Sequence, residues 1–123
     1  MVRVLPANGG GLHFGSRLAF AADGKLFVTL GERYKKYQAQ DPKTRYGKVV
    51  RINVDGSVPT DNPFVGDQFK AQPHVWSIER RNEQSAAIHP ESGKLWTFEH
   101  GARGGDDINI PQTSKNYGWP VIT

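Results

Sequence analysis

The sequence predicts an all-β chain of antiparallel hairpins, on three observations. Gly and Pro, 14 and 8 of them, punctuate 123 residues in which few long segments keep a helical apolar period. Asp23-Gly24 stands between two apolar runs, Leu18–Phe20 and Leu26–Leu30, a strong short-range hairpin signal. The third is an internal echo: Ala22-Asp-Gly-Lys-Leu-Phe27 falls on Glu91-Ser-Gly-Lys-Leu-Trp96 when shifted by 69 residues, Leu26 onto Leu95. Each copy reads as strand, Gly-Lys turn, Leu-aromatic strand and then an acid, Glu32 or Glu99. Repetition of such a unit is how radial β architectures are written.

Taken in order, Val2–Leu5 is a short strand that gives way to the flexible Pro6–Gly11 and then His13. The Leu18–Leu30 hairpin follows, and Gly31-Glu32 opens a loop to about Arg45. Arg33, Lys35, Lys36, Lys43, Arg45, Lys48 and Arg51 cluster here among Tyr34, Tyr37 and Tyr46. Interleaved cations and aromatics can hold a phosphate backbone and stack bases. Glu32, Asp41 and the Pro and Gly breaks interrupt the run, however, so a solvated loop is expected and nucleic acid is not the expected partner, despite a net charge of +4. Lys48–Asn53, rich in β-branched residues, is the next strand. Asp55-Gly56 turns the backbone, prolines make 59–64 irregular, and 65–73 reads as loop or one helical turn. Strands at His74–Ile78, Ser85–Ile88 and Lys94–Phe98 follow, the first two separated by the charged group Glu79–Gln84 and the last two by a turn at Pro90–Gly93.

Glu99–Asn109 reads as a loop because Gly101, Gly104 and Gly105 sit among charges without apolar period. Such a loop can turn carbonyl oxygens toward a hard cation. It can equally be a solvated turn with an Asx bend at Asp106 and Asn109. The absence of cysteine removes disulfides, zinc-thiolate sites and thiol catalysis. No apolar run approaches a membrane span and no secretory leader pattern is present, so a single soluble domain over residues 1–123 is expected, with no second domain and no membrane partner.

Four segments together carry a family resemblance: His13-Phe-Gly-Ser-Arg17-Leu with Gly31-Glu32, Trp76 to Gln84, Glu99 to Asn109, and Lys115-Asn-Tyr-Gly-Trp-Pro120. In this order they resemble the soluble, pyrroloquinoline-quinone-dependent aldose sugar dehydrogenases, the glucose/sorbosone dehydrogenase family, over nearly the whole chain from about residue 11. The resemblance implies antiparallel sheets of a six-bladed β-propeller, with quinone (PQQ) and calcium at the top of its channel. It also implies oxidation of an aldose at C1 to the lactone, with hydride passing to the quinone. His13 matches the general base and Glu32 the acid that orients it; a carboxylate on one ring nitrogen fixes the tautomer and favours the imidazolium. Arg81, Asn82 and Gln84 match residues that touch the quinone, with Arg81 placed to stabilise charge on its oxygen. The carbonyls of Gly101 and Ala102 match calcium ligands. Asp106 and Asp107 then read as loop-shaping acceptors, and Trp76, Trp96 and Trp119 as blade-packing residues.

The sequence departs from the family pattern of glycine, variable, Arg-Asn-Pro-Gln-Gly: Glu79 replaces the first glycine, Glu83 the proline and Ser85 the last glycine, and Ala102 stands where proline is usual. Two added carboxylates are expected to repel an anionic quinone. A 69-residue repeat gives fewer than two blades in 123 residues, and blades must cover one another's faces. A homo-oligomer is therefore expected, about three chains closing one six-bladed ring, or else a different use of the same strands. The other class consistent with the residues is a non-catalytic propeller module, carbohydrate-binding or structural. Members of the family are commonly periplasmic or secreted.

Overall fold

The computed structural model describes residues 11–67, 71–78 and 80–121; the expected strand Val2–Leu5 and the substitution at Glu79 lie outside them. Among the described residues seven strands form two antiparallel meanders. The first sheet runs β1 (Leu18–Phe20), β2 (Leu26–Leu30), β3 (Lys48–Ile52) and β4 (Val75–Ser77), and the second runs β5 (Glu83–Ile88), β6 (Leu95–Glu99) and β7 (Asp107–Asn109). Both echoed turns are hairpin turns, and each closes on a left-handed glycine, Gly24 at φ 80° and Gly93 at φ 68°, a conformation that costs glycine nothing sterically.

Three elements differ from the expectation. Lys36–Gln40 forms a short helix, α1, inside the predicted basic loop. Its carbonyls are drawn together by Lys48, whose buried ammonium donates to the oxygens of Gln38, Ala39 and Tyr46 at 2.7–3.0 Å. The charged stretch ahead of Ser85 is already strand from Glu83, and the predicted 99–109 loop is shorter, because Glu99 pairs with Asp107 and closes it from both ends. Among the described residues no helix is long and apolar enough to cross a membrane.

The two sheets meet through chemically different faces. On β2 the inward residues are Phe27 and Thr29, whereas on β6 they are Leu95, Thr97 and Glu99. Under the 69-residue shift Phe27 falls on Trp96, which points outward. Like faces would meet across a two-fold sandwich; here the front of one sheet packs on the back of the next, as blades do around a propeller. Ala19, Phe27, Val49 and Leu95 form the shared core, flanked by Trp76, Ala86 and Ile88. The seam is edged by Phe27 and Trp76, whose rings meet edge-on at 5.4 Å. A second core of Phe64, Ala71 and Val75 covers the far side of the first sheet near β4, so β3 is buried along its whole length. Each sheet keeps an open outer face, with Leu18 and Phe20 on the first and Trp96 and Ile108 on the second.

The ends of the seam are polar. Arg51, buried at 6%, pairs with Asp61 at 2.9 Å and Asp23 at 3.3 Å. At the other end Arg80 and Glu83 are both fully buried, 3.5 Å apart, and Arg80 also reaches Glu99 at 3.3 Å. The Glu83 carboxyl also faces the Thr29 and Thr97 hydroxyls, which with Arg80 favour its ionised form. Burial pushes the Glu83 carboxyl up to about 7, Arg80 opposing and Glu99 adding to the shift. A carboxyl whose pKa is raised on folding stabilises the fold fully below its unfolded value, and loses that contribution as pH climbs through the folded one. Urea unfolding is therefore expected to show stability falling between pH 5 and pH 8 by on the order of 1–3 kcal/mol. Glu83→Gln should flatten the profile in that window, and an unchanged slope would remove Glu83 as its source.

Candidate active site

The candidate residues gather at one end of both sheets, opposite the two echoed hairpin turns. The segment before β1 runs alongside the segment after β2, with the Gly31 N–H donating to the Gly15 carbonyl at 2.8 Å. Neither glycine can carry a side chain there: a Cβ on Gly31 would overlap the His13 carbonyl, and one on Gly15 would overlap the Glu83 carbonyl. This close approach brings His13 onto Glu32, whose carboxylate Oε1 pairs with Nδ1 of the imidazole. Glu32 is 1% exposed and the His13 side chain 10%. With Nδ1 held, Nε2 is the ring nitrogen left for the cleft.

Arg81 arrives from the β4–β5 connection. Its N–H donates to Glu99 Oε2 at 2.9 Å, and its carbonyl accepts from the Glu32 N–H at 3.0 Å. The guanidinium donates to the His100 carbonyl and lies over the Trp119 ring at 5.3 Å, while its Nε has no partner. His13, Glu32, Tyr34, Lys35, Lys36, Arg81, Ala102 and Trp119 line a cleft of about 490 Å³, within the range of small-molecule sites. A second cleft of about 870 Å³ adjoins it, bounded by Gly101 to Gly105 and sharing Lys36, Arg81, Ala102 and Trp119.

Asn82 and Gln84 are placed differently. Asn82 Oδ1 accepts from the Gly15 N–H at 3.0 Å and from Gln84 Nε2 at 2.9 Å, and its carbonyl accepts from the His100 N–H. The pair pins the His13 segment to the β6–β7 loop and lines neither cleft. Glu83 likewise points into the seam, so its charge does not border the cleft as expected. Asp106 shapes the loop: the Gly101 N–H at 2.9 Å and His100 at 3.2 Å hold its carboxyl below the usual carboxylate range.

A sequence model of the glucose/sorbosone dehydrogenase family matches residues 1–123. The chain belongs to that family. It is 48% identical over 121 residues to the aldose sugar dehydrogenase YliI of Escherichia coli (strain K12), covering 98% of this chain and 32% of that protein. A solved glucose dehydrogenase superposes with TM-score 0.93 at 48% identity, over 97% of this chain and 34% of that one. The PQQ-bound form of an aldose sugar dehydrogenase from Streptomyces coelicolor superposes with TM-score 0.80 at 34% identity, over 90% and 31%. The chain thus spans about a third of the length of the relatives it matches. The two sheets are adjoining antiparallel blades of this dehydrogenase fold.

Sequence reasoning passed over several glucose/sorbosone dehydrogenase positions that the cleft uses. Trp119 read as packing, yet it forms a wall; its place in the Asn-Tyr-Gly-Trp-Pro run that carried the resemblance was the available signal. Tyr34, Lys35 and Lys36 read only as part of a solvated loop of cations and aromatics. Replacing Gly31 with Ala is expected to cost about 1–3 kcal/mol of stability. It should also abolish the low-field proton resonance of the His13 Nδ1–H held by Glu32, and survival of that resonance in Gly31→Ala would show that the close approach does not set the pair.

Proposed function

We propose that this chain carries the proton-accepting part of a quinone-dependent aldose dehydrogenase site, oxidising sugar C1 to the lactone. The observation that supports it is the buried His13–Glu32 pair opening on a cleft whose wall holds Arg81. The donor set suits an acid-bearing quinone, because Lys35, Lys36 and Arg81 put three cations around the cleft and Arg81 Nε is unpartnered. Calcium is less fully provided for. No group of three His, Asp or Glu side chains able to hold a metal exists among the described residues, so the chain would offer the Gly101 and Ala102 carbonyls to a cation that takes about six to eight oxygens.

When bound, PQQ supplies the two-electron acceptor and calcium the Lewis acid beside it. The protein's own residues handle the proton. Glu32 on Nδ1 leaves Nε2 as the nitrogen facing the cleft, and it stabilises the imidazolium formed when the anomeric hydroxyl gives up its proton. As the C1 hydrogen leaves with its electron pair, the C1–O bond becomes the lactone carbonyl. Arg81, fixed by main-chain bonds to Glu32 and Glu99, supports negative charge where it develops. With calcium, PQQ, glucose and a dye acceptor, the chain is expected to reduce the dye, and His13→Ala to lower the rate roughly 100-fold or more. Undiminished reduction in His13→Ala would refute the base. No quinone binding by either protein would favour a non-catalytic blade module.

The open faces support a partner of the same sequence. The outer face of the first sheet is the counterpart, under the repeat, of the face that the second sheet turns inward, and the converse holds for Trp96 and Phe98. A second copy stacked head to tail would repeat the inner seam, and such heterologous contacts close into rings or run on as filaments. Light scattering of the 123-residue protein is expected to show association that Phe20→Lys weakens, whereas a monodisperse monomer at high concentration would sink this arrangement.

A further inference from the structure

Non-glycine residues with left-handed backbone include two that line the cleft, His13 at φ 55° and Tyr34 at φ 62°, and Arg33 at φ 55° beside Tyr34 in sequence. An aromatic residue seldom occupies that region, because its Cβ crowds the following carbonyl. Strain of this kind collects where a side chain has to be aimed. For His13 the pairing with Glu32 accounts for it, and Arg33 lies over the Phe14 ring at 3.7 Å. Tyr34 is turned to the cleft instead of the interior. Its side chain belongs to neither core and it is 66% exposed, yet it lines the cleft, with its ring edge-on to the His13 imidazole at 5.2 Å and 69°.

We propose that Tyr34 is the stacking platform for the apolar face of a pyranose, and so selects the sugars that reach His13. The inference rests on the sugar-oxidising reading of the cleft and deepens it. An aldopyranose whose ring hydroxyls are equatorial carries axial C–H bonds on its two faces. Those C–H groups are attracted to the negative face of an aromatic ring and shed apolar area from water against it. An axial hydroxyl breaks that face, and an acyclic polyol has none. Because the tyrosine ring sits beside the imidazole, a sugar lying on it presents its ring edge to His13. The substrate class is therefore the equatorially substituted aldopyranoses, discriminated by shape before any chemistry.

The test compares the wild-type protein with its Tyr34→Phe, Tyr34→Ala and Tyr34→Gly variants. Glucose and the acyclic polyol sorbitol are titrated with calcium and PQQ present, and binding is read by saturation-transfer NMR and by intrinsic fluorescence. The wild-type protein is expected to prefer glucose, and Tyr34→Phe to keep that preference. Tyr34→Ala and Tyr34→Gly should bind glucose roughly 3- to 10-fold more weakly and lose most of the discrimination. Tyr34→Gly gives a second readout, because glycine relieves the left-handed strain: its midpoint of thermal unfolding should hold or rise while sugar affinity falls, which a merely structural role would not produce. Glucose binding and preference unchanged in Tyr34→Ala and Tyr34→Gly would overturn the platform and leave the sugar site standing. Failure of the wild-type protein itself to bind glucose would overturn both.

Discussion

Arg80 holds the structure together at the point where the two sheets and the cleft meet. Its guanidinium is fully buried, and removing it from water would cost several kcal/mol without partners. Glu99 from β6, and Glu83 from β5 when ionised, supply the opposing charge, and Tyr117, from the segment beyond β7, lays its ring centroid 3.6 Å from the guanidinium carbon. The Arg80 N–H is fixed to the Gly47 carbonyl ahead of β3. One cation thus ties the first sheet, the second sheet and the C-terminal run to a common point.

That constraint reaches the cleft through a single peptide step. Arg81 follows Arg80 directly, and the Glu99 carboxylate that takes Arg80 through one oxygen takes the Arg81 N–H through the other. The Arg81 carbonyl then receives the Glu32 N–H, and Glu32 holds His13. A continuous run of buried polar contacts therefore passes from the ionic centre of the seam to the imidazole. Each member of the run is held by at least one main-chain or charged partner. The strained positions lie at its far end, His13 and Tyr34, where the interior hands over to the cleft.

Much of the fold could be read from local chemistry. The Asp23-Gly24 turn, the β-branched run of β3 and the echo between Leu26 and Leu95 each name a strand or turn through sterics within a few residues. The candidate site was legible in outline, as the His13–Glu32 pairing and the Arg81 position fell together in space. Asn82 and Gln84 also came to that end of the molecule, but as struts, because Asn82 Oδ1 is taken up by the Gly15 N–H and the Gln84 amide. Local pattern could not show this, since Gly15 lies 67 residues from Asn82.

The same distinction accounts for the charged residues. Counted along the sequence, Lys48 and Arg51 belong to a basic cluster suited to phosphate. Folded, both are buried, Lys48 against helix carbonyls and Arg51 against Asp23 and Asp61. By itself the sequence determined the hairpins, the repeat and the family, because turn sterics, alternation and motif spacing are written within short windows. Only the tertiary structure decided which charges are interior struts, which face of each sheet meets its neighbour, and that Tyr34 and Trp119 frame the cleft. Those outcomes depend on desolvation and on contacts between residues far apart in the sequence, which no local window contains.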